Sequence, residues 1–409
     1  MYNIILEWAR LFLHLYFRRI IVYGKENVPK NVPLIVASNH PSAFMEASVL
    51  AIKVGRQIHF MVRGDVFNPK FRWLFKWTNQ IPIYRQKDGI SNLRKNASSF
   101  DLTYRKLADG EAVLIFPEAK SLLEKKMRPI QRGTAHLAFG TIPYLENGKE
   151  LWIVPVGVNF MDPRIPGTDV VVQFGKPFVS PRGSRDDRDA IEAFTEQLAV
   201  AMQPLIVQVN ELSDEPRYDV LASIYMSRIK FFRPKNMVLE DEKKIAEFVN
   251  QSETNQVFLK AVDGHNQLLK QAGLQEAVYF PRLLVVNKIF LLFEMILKAL
   301  WWISGGWIWR LTRKFIYSKL RTDTFQGPTS LGAAMVLMPL IALILFIVFW
   351  IVGIPLELWL SWLILMMWGK TFPAPLSLMW KIFTASGKTL NVARKNVISF
   401  TEEVEKLYK

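Results

Sequence analysis

The stretch Pro33-Leu-Ile-Val-Ala-Ser-Asn-His-Pro-Ser-Ala-Phe-Met-Glu46 places a histidine just beyond a short apolar run and a carboxylate six positions further on. Such a pair suits acyl transfer to an alcohol. His40 can take the proton from an attacking hydroxyl, while Glu46 fixes the ring's tautomer and stabilises the imidazolium that forms. Leu34 to Ala37 reads as a buried strand, Asn39 and Ser42 as capping residues, and Ser42 to Ile52 as a helix. His40 therefore falls at a strand-to-helix junction, where side chains face a cleft. A lone histidine near a helix start also serves as a local hydrogen-bonding or capping residue, and the pair by itself leaves that reading open.

Other chemistry-bearing residues recur at strand ends. Arg85 follows Ile81-Pro-Ile-Tyr84 and so emerges from a strand, where its guanidinium could grip a phosphate with two parallel hydrogen bonds. A surface pair with Asp88 is the alternative. Val113 to Phe116 reads as another buried strand, with Glu118 at its end beyond Pro117. Arg128 to Ala138 returns to helix with Arg132 near its start, and His136 reads as a helix-face residue. Ile153 to Val158 is apolar and suits the wall of a site.

Taken in order, Asn39-His40-Pro41 with Phe44 and Glu46, Ile81 to Arg85, Phe116-Pro-Glu-Ala-Lys-Ser121, and Ile153-Val-Pro-Val-Gly-Val158 resemble the four sequence blocks of the glycerolipid acyltransferases. These are the glycerol-3-phosphate and 1-acylglycerol-3-phosphate acyltransferases, and the likeness spans residues 20–200. It implies an α/β fold, a mixed seven-stranded sheet flanked by helices. It further implies transfer of a fatty acyl group from acyl-CoA or acyl carrier protein to a hydroxyl of glycerol 3-phosphate or lysophosphatidate, in phospholipid synthesis. In that scheme His40 is the base and Glu46 its orienting acid. Arg85, Glu118, Lys120, Ser121 and Arg132 serve the acceptor, and no metal or prosthetic group is needed. Two departures stand out: the acid lies one place later than in most members, giving His-x5-Glu, and the usual Phe-Pro-Glu-Gly reads Phe-Pro-Glu-Ala. A glycine at 119 would permit positive φ or close backbone approach to a phosphate; alanine is expected to offer only the second.

Composition points to a membrane surface. A formal charge of +16 and an apolar half of the chain favour anionic headgroups and anionic donors. Nucleic acid is not expected as a partner, because the basic residues form no recognisable binding motif and many lie beside long apolar stretches. The absence of cysteine excludes thiol catalysis and disulfides, and the five histidines show no metal-ligand spacing.

The rest of the chain divides by polarity. Residues 1–22 carry Glu7, Arg10, His14 and Arg18 along one stripe of an apolar segment, which suits an amphipathic helix lying in the membrane interface or packed on the catalytic domain. The acyltransferase domain is expected over 23–210, a polar helical region over 211–282, and an aromatic and basic interfacial segment over 283–331. In that segment Glu294 and Lys298 would each cost about 2.5–3.5 kcal/mol to insert, so it is not expected to cross. Residues 332–369 read as a transmembrane hairpin broken at Gly353 and Pro355, a C-terminal helical anchor, and 370–409 as a basic helical tail. Both flanks of the hairpin are basic, which places them, and the catalytic domain, on the cytoplasmic face of the membrane, the inner or plasma membrane in a bacterium. An acceptor such as a lyso-ornithine lipid, a transacylase, and a lipid-binding protein that has lost catalysis are the other readings.

Overall fold

The computed structural model describes residues 1–64, 70, 72–84, 96–146, 148–228, 238–251, 253–301, 311, 314–315, 317–320, 322–353, 355–360 and 376–407. Its centre is an eight-stranded mixed sheet of β1 (Arg19–Tyr23), β2 (Leu34–Ser38), β3 (Ile58–Arg63), β4 (Gln80–Ile83), β5 (Ala112–Ile115), β6 (Trp152–Phe160), β7 (Asp169–Phe174) and the two-residue β8 (Phe178–Val179). The order is β1-β7-β6-β2-β5-β3-β4, with β8 beside β6. β2 pairs in parallel with both β5 and β6, whereas β7 and β8 run antiparallel to β6. β2 is central and buried at every residue, which is why it reads as an unbroken apolar run rather than an alternating one. Leu34 and Val36 join the core on one face of the sheet, and Ile35 and Ala37 join the core on the other.

The first face is covered by α1 (Tyr2–Tyr16) and α2 (Met45–Lys53). A short α3 (Arg72–Trp77) precedes β4, and the second face is covered by α4 (Asn96–Ala108), α5 (Gly133–Thr141) and α6 (Arg188–Met202). The N-terminal helix is shorter than the 1–22 expectation. Ile20, Ile21 and Val22 enter the sheet by pairing with β7, and Arg18 and Arg19 both turn onto the buried Asp169. Leu13 and Phe12 pack inward, while Ile4, Trp8 and Leu11 stay exposed.

Beyond the sheet, α7 (Glu215–Arg228), α8 (Val238–Asn250), α9 (Gln256–Gln271), α10 (Pro281–Val285) and α11 (Lys288–Trp301) are followed by a long α12 (Gln326–Val352), then α13 (Leu376–Thr384) and α14 (Gly387–Lys406). The polar region and the basic tail, expected as separate segments, share one core. Leu221, Ile245, Val262 and Leu269 meet Met379, Ala393 and Phe400 there. Ile21 and Val171 of the sheet edge belong to the same core, and Arg19 donates to Met226 O at 2.7 Å, so the bundle is fastened to the sheet.

Among the described residues, one helical stretch is long and apolar enough to cross a membrane, Asp323–Val352, which contains an 18-residue window of mean hydropathy 3.0. It starts earlier than Gly332, and its first turns are packed: Gly327, Ser330, Leu331 and Ala334 are buried, the last two in the core on the α1 and α2 face of the sheet. From Val336 onward large apolar side chains are exposed. Gly353, with φ 75°, ends the helix, and Trp359 Nε1 then donates back to Ala342 O at 3.2 Å, as a turn of direction requires. Residues 361–375, the rest of the expected second arm, lie outside the described residues. In α11, Glu294 pairs with Arg282 and Lys298 is buried, its pKa lowered by desolvation to about 8.

Candidate active site

β2 ends at Ser38, and the next six residues, Asn39 to Phe44, build a tight turn that hands the chain to α2. Asn39 does not cap that helix. Its side chain donates to Val158 O at 3.0 Å and accepts from Val158 N at 2.7 Å, locking the turn to β6. Ser42 is not a cap either; its hydroxyl donates to Thr324 O at 3.4 Å. Ala43 has φ 45°, which holds 42–44 as a turn and delays the helix to Met45.

That delay sets the geometry of the His40–Glu46 pair. Glu46 sits in the first turn of α2, where a carboxylate is favoured by the helix dipole, and its fully buried side chain reaches back over the turn. One oxygen meets His40 Nδ1, and the other accepts from Ser42 N at 3.1 Å. The His-x5-Glu spacing therefore closes a direct ion-pairing contact. The imidazole stacks on Phe116, with centroids 4.1 Å apart and planes 8° from parallel. Nδ1 is committed to Glu46, so Nε2 is the nitrogen left to receive a substrate proton.

The Phe116–Ser121 segment braces this turn from the next strand. Glu118 is 5% exposed and accepts from His40 N and from Arg128 N, each at 3.1 Å. Burial raises its pKa in spite of those two donors. Both oxygens thus join backbone segments, a positioning role distinct from the acceptor contact that the family likeness implies. Ser121 Oγ accepts from Ala43 N at 2.6 Å, holding the strained turn. Ala119 has φ 60°, contrary to the expectation that alanine could not supply positive φ here. The chain adopts the left-handed conformation at a cost of about 1–2 kcal/mol, and the flanking hydrogen bonds Ala119 N to Phe116 O and Lys120 N to Glu118 O hold it there.

His40, Lys120 and Ser121 line one cavity of about 370 Å³ whose walls are mostly apolar, from Phe44, Phe60, Leu114, Phe116 and Leu122. Its size lies in the range of small-molecule sites. Glu46 stands behind His40, out of the lining. Arg132 is elsewhere: it pairs on the surface with Glu192 of α6 at 2.5 Å. Arg85 lies outside the described residues, but β4 ends two positions before it, and Ile83 is in register with Arg63 of β3.

Arg63 itself lines the cavity, as do Thr322, Thr324 and Phe325. None of these four was singled out from the sequence. Arg63 carries the same signal that marked Arg85, an apolar run ending in arginine. The other three reach the site from almost 300 residues away, through a contact no local pattern announces. Phe325 meets Phe44 edge-on at 5.9 Å, so the segment leading into the long apolar helix forms a wall of the histidine's cavity.

Part of the chain is similar to known acyltransferases. Residues 19–159 match the model of the family described as Acyltransferase. Over 141 residues, 32% of this chain and 66% of the relative, the sequence is 28% identical to a 1-acyl-sn-glycerol-3-phosphate acyltransferase of Bacillus subtilis. Over 183 residues, 42% of this chain and 24% of the relative, it is 21% identical to glycerol-3-phosphate O-acyltransferase 1 of Saccharomyces cerevisiae. The chain spans from about a quarter to just under two thirds of the length of these relatives. The crystal structure of the 1-acyl-sn-glycerophosphate (LPA) acyltransferase PlsC from Thermotoga maritima aligns with a TM-score of 0.37 at 19% identity, covering 50% of this chain and 78% of that one.

Proposed function

We propose, from the match of residues 19–159 to the acyltransferase family model, that this protein is a membrane-bound O-acyltransferase of glycerolipid synthesis. It moves a fatty acyl group from acyl-CoA or acyl carrier protein to a hydroxyl of glycerol 3-phosphate or lysophosphatidate. The observation that carries this reading is the His40 Nδ1 to Glu46 contact at the edge of an apolar cavity.

In this mechanism His40 Nε2 takes the proton of the acceptor hydroxyl as its oxygen attacks the thioester carbonyl. The negative Glu46 stabilises the imidazolium through Nδ1. Collapse of the tetrahedral intermediate breaks the carbon–sulfur bond, and the imidazolium returns its proton to the departing thiolate. Lys120 and Arg63, both exposed at the cavity, and Arg85 beyond β4 supply positive charge for a phosphate on the acceptor. The apolar walls take the acyl chain. The long helix from Gln326 serves as the membrane anchor, with the catalytic domain on the cytoplasmic side.

The test is transfer of labelled acyl groups, from acyl-CoA and from acyl carrier protein, to a panel of glycerol 3-phosphate, lysophosphatidate and other lysolipids by the purified protein. Product that disappears in His40→Ala supports the reading. A folded wild-type protein that labels no acceptor on the panel would instead favour a lipid-binding role without catalysis.

A further inference from the structure

On the far side of the turn that carries His40 lies a second, polar cavity of about 80 Å³. Asn39 and Pro41 form part of one wall, and Lys125, Asp162 and Arg164 continue it from the catalytic domain. Glu215 and Asp219 of α7, Glu242 of α8, and Tyr279 close the opposite wall. All four lie beyond residue 159, outside the segment that matches the acyltransferase family model.

Most of its polar groups are already engaged. Lys125 Nζ donates to Met161 O at 2.7 Å and pairs with Asp219 Oδ1 at 3.2 Å. Asp162 holds Arg164 at 2.7 Å, Glu215 accepts from Lys125 N at 2.7 Å, and Tyr279 OH donates to Asp219 Oδ2 at 3.2 Å. Two carboxyl oxygens are the exceptions: Glu242 is 5% exposed and its Oε2 accepts no hydrogen bond, and Asp219 Oδ1 is held only by its ion pair with Lys125. Burial raises its pKa to about 8. A buried carboxyl oxygen without a donor costs several kilocalories per mole, unless something in the cavity donates to it.

The chemistry of that donor follows from charge and room. Even with Glu242 protonated, the lining holds four further carboxylates, those of Glu124, Asp162, Glu215 and Asp219, against the two cations Lys125 and Arg164. In a chain whose formal charge is +16, this acidic excess disfavours a phosphate and favours a cation. Among the described residues no group of His, Cys, Asp and Glu is arranged to hold a metal ion. A volume that admits several water-sized groups, at about 10–15 Å³ each, accepts an aminoethyl fragment.

We propose that this cavity is a binding site for a primary ammonium group, from a soluble amine or a lipid headgroup, received by Glu242 and Asp219 beside the turn that carries His40. Its three N–H donors answer the free carboxyl oxygen and the local excess of negative charge. The site does not depend on the acyl-transfer reading.

Thermal unfolding of the full-length protein in detergent tests it, with ethanolamine set against its neutral analogue ethylene glycol at matched ionic strength. In a parallel arm, lysophosphatidylethanolamine is set against lysophosphatidylglycerol. A saturable rise in Tm with ethanolamine supports the site and identifies a soluble amine as a sufficient ligand; a rise confined to the lysophosphatidylethanolamine arm supports it and identifies a headgroup. Glu242→Gln and Asp219→Asn should each raise the half-saturating concentration about tenfold or more, as loss of one charge-assisted hydrogen bond does. Neither amine raising Tm beyond its amine-free partner would overturn the proposal, whatever the variants do. So would a Glu242→Gln protein that responds at the wild-type concentration.

Discussion

Replacing Glu46 by glutamine tests the catalytic reading most sharply, because the two oxygens of this carboxylate serve two donors that an amide cannot serve together. One oxygen faces His40 Nδ1 and the other accepts from Ser42 N at 3.1 Å, and the side chain is fully buried. If the amide nitrogen turns toward His40, it donates to Nδ1 and forces the ring into the tautomer with hydrogen on Nε2, which cannot accept the substrate proton. If it turns toward Ser42, two donors face each other at a buried site, costing about 1–3 kcal/mol of stability, and the negative charge that stabilises the imidazolium is still gone. Either orientation removes most of what general-base catalysis supplies, so turnover should fall roughly 10²- to 10⁴-fold, or about 2.7–5.5 kcal/mol of barrier. Glu46→Asp withdraws the carboxylate by one methylene and should land between the two. The assay is initial-rate transfer from labelled donor to whichever acceptor the wild type prefers, with a melting curve for each variant. A Glu46→Gln enzyme that melts like the wild type and turns over within threefold of it would refute the dyad.

Other outcomes follow from single contacts. His40→Ala should leave the fold and membrane association intact while cutting turnover roughly 10²- to 10⁴-fold, measured by the same assay. Arg85→Lys should weaken apparent acceptor affinity more than donor affinity, since an ammonium lacks the guanidinium's fork; equal effects on both KM values would count against a phosphate there. A Cβ at Gly327 would sit 2.0 Å from Pro163 O, so Gly327→Ala should cost about 1–3 kcal/mol in denaturant unfolding and alter KM by shifting the Phe325 wall. Burial alone would raise the Asp169 pKa, but hydrogen bonds from Arg18 and Arg19 hold it below the usual range, so its contribution to stability is present above about pH 3.9 and is lost as pH falls through the depressed folded value. Asp169→Asn should therefore flatten the acid end of the stability curve, read by urea titration at several pH values, while lowering stability at neutral pH.

What could be read from the residues in order was the local chemistry. The run Leu34 to Ala37 reads as a buried strand, and a histidine beyond it could meet, across the junction, a carboxylate six positions further on. The α/β character followed from the similar runs at Val113 and Ile153. Steric preference misled at Ala119, where tertiary contacts outweigh a penalty of about 1–2 kcal/mol that is decisive only in an isolated peptide. It misled again at Asn39 and Ser42. Both are good caps by type, but β6 and the 322–325 segment offered them partners that the adjoining helix did not. The helical bundle was illegible for a related reason. Leu269 and Phe400 share a core, but 131 positions separate them, and amphipathic periodicity reveals which face is buried without naming what buries it.

If the apolar helix anchors the protein as proposed, the same long-range packing gives it a role beyond holding the protein at a bilayer. Its first turns are seated on the catalytic core through Gly327, Ser330 and Leu331, and the residues just before them, Thr324 and Phe325, line the cavity with His40. On the proposed reading, a helix that begins at this wall and then exposes apolar side chains from Val336 to Val352 would carry the cavity to the membrane surface, where an acyl chain need not cross water to reach the histidine. The chain on the other side of the excursion returns to the same body, because α13 and α14 pack into the bundle that is fastened to β1 and β7. Two ends docked on one body demand an even number of crossings between them, the parity that the basic flanks require on independent electrostatic grounds. In a chain without native cysteine, Ser318→Cys and Ser386→Cys should then be shielded together from an impermeant thiol reagent in intact cells, with Ser98→Cys, while Val352→Cys near the turn is labelled. Labelling of Ser318→Cys without Ser386→Cys would show an odd number of crossings, and the shared docking of the two ends would then not survive in the membrane.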